Sequence, residues 1–326
     1  MSIADGRASV GFGVIGAGSM VAELAVLPAL DVSDRAHLVG MCSLGGSSSG
    51  RWDDRALPSY DDVIEHPDVE VVYVPLPNAM HGEWVARAAA AGKHVLCEKP
   101  LARDAAEARA MAETCEQAGV MLAEAWMTPF DPRWRATFAL VDDGLIGDVT
   151  RIEARFTFTI GPDRADNYRW SSALGGGALL DVGIYCLGGP VRLWGSDPQT
   201  IDATRVAAPS GVDARSDARL TWPGGRTALI TCSFVDAEQQ LLRVIGERGT
   251  LQLDDVAHTG GVAATAIRHT AVDGTERIIT VEGGDPYRAM IDAFAASVRG
   301  DAVWPRPVED SARMLALLDR IREAAA

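Results

Sequence analysis

Lys99 lies in the run Cys97-Glu98-Lys99-Pro100, which directly follows an apolar, strand-like segment. Proline fixes the backbone after the lysine, so the cation is held at the end of a strand. Later in the chain, the triple glycine Gly175–Gly177 leads to Asp181 and Tyr185. A cation, a carboxylate and a phenol together can move a proton to or from a substrate. The alternative is an ordinary strand-to-helix turn in which Lys99 is solvated.

Asp181 and Tyr185 are four positions apart within the segment Gly177–Trp194. If this segment is helical, both side chains lie on the same face. Such a pair is usually structural when it occurs alone, and it gains a chemical meaning together with Lys99. We therefore predict Lys99, Tyr185 and Asp181 as the catalytic residues.

A glycine turn near the N-terminus predicts a dinucleotide site. The strand-like run Val10–Ile15 leads into Gly16-Ala17-Gly18 and then into Ser19, Met20 and a helix. Gly16 permits a tight turn, and Gly18 lets backbone N–H groups approach a pyrophosphate at a helix N-terminus. An ordinary turn is the alternative, but the βαβ series that follows favours binding. We predict that Gly16, Gly18, Ser19 and Met20 contact the cofactor.

The end of the second strand bears on the choice between NAD and NADP. NAD-binding sheets commonly place an acid there to bind the ribose 2′-hydroxyl, but residues 39–51 contain none. They contain Ser43, the Gly45–Gly50 tract with three further serines, and Arg51. Hydroxyls, loop N–H groups and a guanidinium suit a 2′-phosphate, so Ser43 and Arg51 predict NADP. NAD stays possible because Asp53 can fold back onto a ribose, and a glycine-serine tract can also be a flexible tip.

The segment after the third predicted strand supplies more polar groups. Pro75, Asn78 and His81 follow Val69–Val74, at the edge where doubly wound sheets bind ligands. We predict that these three residues and Glu98 contact the cofactor. In the alternative, Asn78 caps the next helix and His81 lies on its surface.

The elements that position these residues fall into two styles. Short β-rich runs alternate with helical patterns up to residue 125, which indicates βαβ units around a doubly wound parallel (Rossmann) sheet. One of these helical patterns is Asp104–Gln117, with Asp104 as its expected N-terminal cap. β-rich runs joined by turns such as Pro223-Gly224-Gly225 follow, and two helices close the chain. The fold class is α/β, with a C-terminal α+β domain on a largely antiparallel open sheet. We expect a dinucleotide-binding domain over residues 1–125 and a substrate-binding and oligomerisation domain over 126–326.

Composition narrows the possible partners. The 326 residues carry 30 Lys and Arg against 45 Asp and Glu, a formal charge of −15. That field repels nucleic acid and anionic lipid, so neither is an expected partner. We find no apolar stretch of about 20 residues and no signal-peptide pattern, so a cytoplasmic location is expected. The five cysteines are widely spaced and form no Cys-x-x-Cys pair, so reduced thiols and no metal site are predicted.

Several separated motifs resemble one enzyme family. They are Gly16–Ala22, Pro77–His81, Glu98-Lys99-Pro100, Gly175–Tyr185 and Asp285-Pro286-Tyr287, and they span nearly the whole chain. The chain resembles the family of glucose–fructose oxidoreductase, inositol dehydrogenase and rhizopine catabolism proteins.

The position of Tyr185 suggests a branch of that family. Tyrosine there is similar to the branch with NADP-linked xylose dehydrogenase and dihydrodiol dehydrogenase, as is the run Glu124-Ala125-Trp126-Met127. The chain departs from that branch in the next residues, Thr128–Asp131, which border the pocket in the family. The resemblance therefore implies a nicotinamide-dependent oxidoreductase but not its substrate.

The resemblance also implies a mechanism. As a hydride leaves an alcohol carbon, a basic group must take the hydroxyl proton, and Tyr185 beside the Lys99 cation fits this role. Asp181 binds a neighbouring substrate hydroxyl or steadies Lys99, and the choice between Lys99 and Tyr185 as the proton carrier stays open. Four side chains are expected to line the pocket: Trp126, Asn167, Arg169 and Trp170. For the last three, a solvated loop is the alternative.

Three functions are compatible with this reading. The first is an aldose dehydrogenase-like enzyme that acts on a sugar or polyol with NADP(H). The second is a ketoreductase of a nucleotide-linked keto sugar, although the acidic chain shows no basic cluster for a diphosphate. The third is a non-catalytic NADP-binding regulator. A homo-dimer or homo-tetramer is expected because few helices are available to cover the second sheet.

Overall fold

The computed structural model describes residues 9–43, 50–161 and 164–326. Its first sheet has parallel strands in the order β2-β1-β3-β4-β5, so the predicted doubly wound sheet is confirmed. Near-continuous burial of these strands explains why they appear in the sequence as apolar runs. The strands are β1 (Val10–Ile15), β2 (Ala36–Cys42), β3 (Val71–Val74), β4 (His94–Glu98) and β5 (Leu122–Ala125).

Helices connect these strands, and local signals explain where they begin. The Asp104 side chain accepts the N–H of Glu107 at 2.8 Å, which confirms Asp104 as the predicted cap of α4. Ser59 caps α2 in the same way through the N–H of Asp62. The helices are α1 (Leu27–Val32), α2 (Tyr60–Glu65), α3 (His81–Ala90) and α4 (Ala105–Gln117), with short 3-10 turns at Asp53–Arg55 and Asn78–Met80.

The second sheet has eight strands in the order β13-β12-β11-β10-β6-β9-β8-β7. It is largely antiparallel, as predicted, but the central strands β6 and β9 run parallel to each other. The strands are β6 (Val149–Thr159), β7 (Thr200–Ala207), β8 (Asp213–Thr221), β9 (Thr227–Ser233), β10 (Val235–Gly246), β11 (Gly249–Asp254), β12 (Thr265–Ala271) and β13 (Glu276–Val281).

A buried helical segment covers the middle of this sheet. Leu179–Gly183 forms a π-helical turn that continues into α6 (Ile184–Trp194), where a plain helix is predicted. By length and composition alone, the helical run Ser172–Trp194 could cross a membrane, contrary to the sequence-based expectation that no stretch approaches that length. Most of its apolar window is buried inside the protein, as in a core helix. The remaining helices are α5 (Pro132–Asp142), α7 (Pro286–Val298) and α8 (Val308–Ala324).

Packing divides the chain into two compact units. The first unit consists of Met1–Trp126 and Tyr287–Ala312, and the second of Met127–Pro286 and Arg313–Ala326. The sequence-based boundary placed 287–312 in the second domain, whereas these residues bond to the first unit. For example, Ser33 donates to Asp292 at 2.5 Å and Arg299 forms an ion pair with Glu70. The assignment of roles to the two domains stays a prediction.

Candidate active site

The glycine turn of the first unit has the shape that a dinucleotide requires. Gly16 has φ of +88°, and a Cβ there would lie 2.6 Å from Cδ2 of Leu76. The N–H groups of Gly16 and Ala17 both donate to the Cys42 carbonyl, at 2.9 and 3.0 Å. The turn therefore closes onto the end of β2 and leaves Gly18 exposed at the start of the helix. The close backbone approach and the helix start fit a pyrophosphate.

Ser19 and Met20 follow the glycine turn at the start of the helix. Ser19 is half-buried, and its side chain accepts the N–H of Ala22 at 3.3 Å, which satisfies a group of the first helical turn. The Met20 side chain is 61% exposed. Ser19 thus shapes the helix start while Met20 lies on its surface.

Arg51, in the segment after β2, is bound by the carboxylate of Asp31 in α1, which no sequence pattern indicated. Arg51 lies 2.8 Å from Asp31, and the Trp52 indole donates to both oxygens of the same carboxylate at 3.1 Å. The Arg51 guanidinium also lies 4.9 Å above the Trp52 ring. Ser43 is half-buried at the end of β2. The three serines of the glycine-serine tract fall outside the described residues, so Arg51 and Ser43 are the predicted 2′-phosphate contacts that can be located.

His81, in the segment after β3, does not lie on the surface of the helix, so that alternative is wrong. His81 is fully buried, with Nδ1 3.1 Å from the Leu101 carbonyl and Nε2 2.8 Å from the Leu76 carbonyl. Burial lowers the pKa of His81, although the carbonyl contacts oppose that effect. The ring therefore joins the loop after β3 to the loop after β4. Pro75 and Asn78 are also buried, and α3 begins after Met80 with no side-chain capping bond.

The backbone around Lys99 is fixed by the residue before it. Glu98 accepts the Tyr73 hydroxyl at 2.7 Å on one oxygen and the Lys99 N–H at 3.1 Å on the other. Burial raises the pKa of Glu98 to about 7, against the lowering effects of the Lys99 charge and these hydrogen bonds. The Lys99–Pro100 peptide is cis, and the Lys99 side chain is half-buried. Glu98 thus joins its own turn to β3, with one carboxylate oxygen bound to each.

A buried ion pair stands behind this turn. Glu124 accepts the Leu101 N–H at 2.9 Å, the Ser311 hydroxyl at 2.8 Å and an Arg306 N–H at 3.2 Å. Arg306 in turn lies 4.2 Å above the Trp126 ring. No periodicity or spacing in the sequence links residues so far apart, so only the structure reveals the pair.

In the second unit, Asp181 is one half of a buried ion pair. The Arg169 Nε–H donates to it at 2.6 Å, and the two side chains are 26% and 5% exposed. Burial alone would lower the pKa of Arg169, but the Asp181 carboxylate outweighs this and raises it. The alternative of a solvated loop at Arg169 is therefore wrong. The described contact of Asp181 is therefore with Arg169, and its expected roles, binding a substrate hydroxyl or steadying Lys99, stay predictions.

The triple glycine brings Arg169 and Asp181 together. The Gly177 N–H donates to the Arg169 carbonyl at 3.0 Å, and a Cβ on Gly176 would lie 2.3 Å from that carbonyl oxygen. The backbone of Arg169 therefore packs directly against Gly176, where no side chain fits. Asp213, which the sequence analysis missed, accepts the Leu179 N–H at 2.7 Å and starts the following turn.

Tyr185 lies within an aromatic cluster of the second unit. Its ring meets Phe156 edge-on at 5.3 Å, and Phe156 stacks on His258 at 5.7 Å between ring centroids. His258 is fully buried, its Nε2 lies near the carbonyls of Arg155 and Leu241, and burial lowers its pKa to about 4. The cluster leaves the Tyr185 side chain 5% exposed.

The other predicted pocket residues of the second unit are half-buried. Asn167 accepts the Arg169 N–H at 3.1 Å, and Trp170 meets Phe234 edge-on at 5.5 Å. Asp163, earlier in the same polar segment, falls outside the described residues. The first unit thus holds Lys99, the cofactor candidates and Trp126, and the second holds Asp181, Tyr185, Asn167, Arg169 and Trp170.

Two family descriptions match this architecture. Residues 10–125 match an oxidoreductase family with an NAD-binding Rossmann fold, and residues 134–252 match the GFO/IDH/MocA C-terminal domain. The chain belongs to the GFO/IDH/MocA oxidoreductase family. The predicted family, fold class and nicotinamide dinucleotide cofactor are therefore confirmed, and Rossmann strands β1–β5 all lie in the first matched range.

Similar proteins of this family include sugar enzymes. A D-xylose 1-dehydrogenase (NADP(+)) of Haloferax volcanii is 32% identical over 96% of this chain and 97% of its own. A dTDP-3,4-didehydro-2,6-dideoxy-α-D-glucose 3-reductase of Streptomyces violaceoruber is 37% identical over 83% of this chain and 81% of its own.

A solved structure is also similar over nearly the whole chain. It is a 3-ketoreductase of Actinomadura kijaniata in complex with NADP and TDP-benzene, with 29% identity, a TM-score of 0.89 and coverage of 97% of this chain and 98% of that one. Further structures of that enzyme carry a tyrosine-to-phenylalanine substitution or replace a lysine with alanine or glutamate.

Proposed function

We propose that this oxidoreductase transfers a hydride between NADP(H) and a hydroxyl or carbonyl carbon of a sugar or polyol. The observation that carries the proposal is the fixed position of Lys99 at the carboxyl end of β4. The Gly16 turn follows β1 at the same edge of the parallel sheet, where doubly wound folds bind their ligands. When bound there, a nicotinamide supplies the hydride chemistry.

The chain's own residues would handle the proton. Tyr185 takes it from the substrate hydroxyl in oxidation and returns it in reduction, and Lys99 favours the charged phenolate. A phenol is a weak base at neutral pH without such a cation. Asp181 holds Arg169, which we assign to the substrate side together with Asn167, Trp170 and Trp126. Substituted tyrosine and lysine residues in the related ketoreductase are of the same two types as Tyr185 and Lys99.

NADP is supported over NAD by two observations. The Haloferax relative is named for NADP(+), and the Actinomadura ketoreductase was solved with NADP. In this chain, Arg51 follows β2, and its guanidinium has donors to spare beyond its contact with Asp31.

The substrate class has two candidates. Aldoses and polyols are supported by the xylose dehydrogenase, which aligns with 97% of its length. A nucleotide-linked keto sugar is supported by the 37% identity to the dTDP-sugar reductase. We favour the first, because Arg169 and Arg133 in the second unit are already bound within the fold and are not available to a diphosphate.

The proposal is tested by turnover in two variants. A panel of aldoses, polyols and dTDP-linked keto sugars is screened with NADP(H), following the absorbance of the reduced nicotinamide. Lys99→Ala and Tyr185→Phe should each lower kcat by about 10²–10⁴ on the best substrate, with NADPH binding nearly unchanged. Full activity in Tyr185→Phe would show that another residue moves the proton. Cofactor binding without turnover across the panel would instead favour a non-catalytic regulator.

Self-association in the cytoplasm completes the proposal. The face of the second sheet that includes Glu153 carries cross-strand ion pairs, such as Arg243 with Glu153 at 3.1 Å, beside exposed apolar side chains such as Leu229 and Ile278. We assign the contact between copies of a homo-dimer or homo-tetramer to this face, because a second copy would cover its exposed apolar side chains. Light scattering that returns 34.5 kDa, the mass of one chain, at micromolar concentration would exclude an oligomer.

A further inference from the structure

The backbone of Leu101, two residues after Lys99, is held through both its N–H and its carbonyl. Its N–H donates to Glu124 at 2.9 Å, and its carbonyl lies 3.1 Å from Nδ1 of His81. On the other side of Lys99, Glu98 accepts the Lys99 N–H. The backbone that carries Lys99 is therefore fixed at both ends. Glu124 is the contact that connects this backbone to a distant part of the chain, because it also binds Arg306.

Arg306 reaches Glu124 from a stiff segment. It lies between Pro305 and Pro307, so its own backbone is restricted to extended conformations. Trp304, just before this segment, packs edge-on against Phe294 of α7 at 5.4 Å. The guanidinium is thus delivered in one direction, with its face on the Trp126 ring and one edge on Glu124.

The pair is an expensive feature if it only adds stability. The Arg306 and Glu124 side chains are 13% and 1% exposed. Removing two charges from water costs free energy that their attraction repays only with excellent geometry, and apolar replacements of similar volume are often as stable. The presence of a charged pair here therefore indicates that it serves to fix the positions of the groups it contacts.

We infer that the Glu124–Arg306 ion pair positions two parts of the site, the Lys99 turn through Leu101 and the Trp126 ring through the guanidinium face. Both are positioning residues, since neither is assigned a contact with reacting atoms. The inference rests on the proposed function, because it gives the pair its purpose through Lys99 and Trp126. It predicts that the two ends of the pair affect different kinetic constants.

Glu124→Gln tests the Lys99 end. The amide keeps the size of the side chain but removes the charge that holds Arg306, so the Leu101 N–H loses a strong acceptor. We expect kcat to fall by about 10–100-fold with little change in the Kd for NADPH, since small displacements of a catalytic group are costly. The exposed Glu83→Gln is the matched control and should leave kcat unchanged.

Arg306→Lys tests the Trp126 end. Lysine keeps the positive charge beside Glu124 but cannot present a planar face to an indole. We expect KM to rise several-fold while kcat stays close to that of the parent protein. Arg306→Met should lower kcat as well, whereas Arg35→Met, at an exposed ion pair with Asp301, should change neither constant.

Combination with Lys99→Ala separates this inference from the proposed function. If Glu124 acts through Lys99, adding Glu124→Gln to Lys99→Ala should cost less than twofold in the residual turnover, because the two changes are not additive. A full 10–100-fold further loss would overturn the inference and leave the function standing. Full turnover in Lys99→Ala alone would instead overturn the proposed role of Lys99.

Two further measurements decide the matter if a variant folds poorly or no substrate is found. Ser311→Ala removes one hydrogen bond to the Glu124 oxygen that also accepts from Arg306, and it is the milder variant. A fall in its kcat supports the inference, and an unchanged kcat overturns it. Without a substrate, amide exchange at Leu101 is measured in the double variant Glu124→Gln/Arg306→Met. Faster exchange there than at the β4 amides supports a clamp, and equal protection contradicts it.

Discussion

In the first unit, side chains from four separate elements fix the turn around Lys99, whereas in the second unit Asp181 forms a buried ion pair with a residue close to it in the chain. Tyr73 of β3, His81 of α3, Glu124 of β5 and Ser311 of α8 all contribute to the first arrangement. In the second, Arg169 lies only twelve residues before its partner. A distributed arrangement loses one contact per substitution. In the local arrangement, one substitution removes the buried ion pair itself.

Arg169→Met should therefore have the largest effect on stability. The substitution removes the Arg169 charge from the Asp181 carboxylate, whose side chain is 5% exposed. Breaking such a buried pair costs about 3–5 kcal/mol, which would shift the urea unfolding midpoint strongly downward. Tryptophan fluorescence follows the transition, and a parallel loss of turnover is expected.

The control for this prediction is Arg192→Met. Arg192 is bound to Asp142 at 2.7 Å, but both side chains are about half exposed, at 46% and 54%. Such surface pairs contribute about 0–1 kcal/mol. The double variant Arg169→Met/Asp181→Asn should recover part of the lost stability. Equal midpoints for Arg169→Met and Arg192→Met would show that the local pair is not the main support of Asp181.

One buried group in each unit should make the free energy of unfolding depend on pH, and the two dependences should have opposite signs. In the first unit, burial raises the pKa of Glu98 from 4.5 to about 7. The folded protein then binds a proton that the unfolded chain has released, so this group's stabilisation is complete below pH 4.5 and is lost as pH rises through 7. The window corresponds to on the order of 3 kcal/mol.

Glu98→Gln should remove that decline. The free energy of urea unfolding, compared with the parent protein between pH 4.5 and 7.5, should fall less steeply in the variant. The comparison must be between variant and parent, because His81 has a lowered pKa and opposes Glu98 in the parent. A difference that stays constant across the pH range would exclude Glu98 as the titrating group.

His258 of the second unit gives the opposite slope. Burial lowers its pKa from 6.5 to about 4, so the stabilisation from its neutral form is present above pH 6.5 and is lost as pH falls through 4. His258→Phe keeps a ring against Phe156 and should make unfolding less sensitive to acid between pH 6.5 and 4. A variant that is as acid-sensitive as the parent would contradict this assignment.

The close approach at Gly176 offers a smaller test of the second unit. Alanine there would place a Cβ 2.3 Å from the Arg169 carbonyl oxygen, so the backbone must move. Overpacking of this kind costs about 1–3 kcal/mol. Gly261→Ala, where a Cβ meets nothing within 4 Å, should leave the urea midpoint unchanged. A harmless Gly176→Ala would show that the Arg169 segment can shift freely.

Sequence patterns predicted the elements of both units better than their contacts. The apolar run Val10–Ile15 and the cap at Asp104 are local signals, so β1 and α4 were predicted nearly to the residue. The parallel pairing of β6 with β9 joins strands far apart in the chain, and hairpin signals between neighbours do not report it.

The candidate site shows the same limit. Lys99 was predicted from its place after a strand, because chain neighbours alone define that position. The burial of His81 and the ion pairs of Arg306 and Arg169 depend on which distant segment packs against them, and a polar residue looks the same in a sequence whether it is solvated or buried with a partner.

Arg51 sharpens the comparison within the first unit, because its ion pair is the exposed counterpart of the buried one at Arg306. The Arg51 and Asp31 side chains are 61% and 30% exposed, against 13% and 1% for Arg306 and Glu124. An exposed guanidinium can exchange one contact for another at little cost, so Arg51 is able to turn from Asp31 toward a 2′-phosphate.

Arg51→Ala should weaken NADPH binding by about tenfold, near the lower end for charge-assisted hydrogen bonds, and leave NADH binding unchanged. Asp31→Asn, which removes the competing carboxylate, should tighten NADPH binding by a few-fold. Fluorescence titration of both cofactors measures the ratio, and equal weakening of NADPH and NADH in Arg51→Ala would remove Arg51 from the phosphate site.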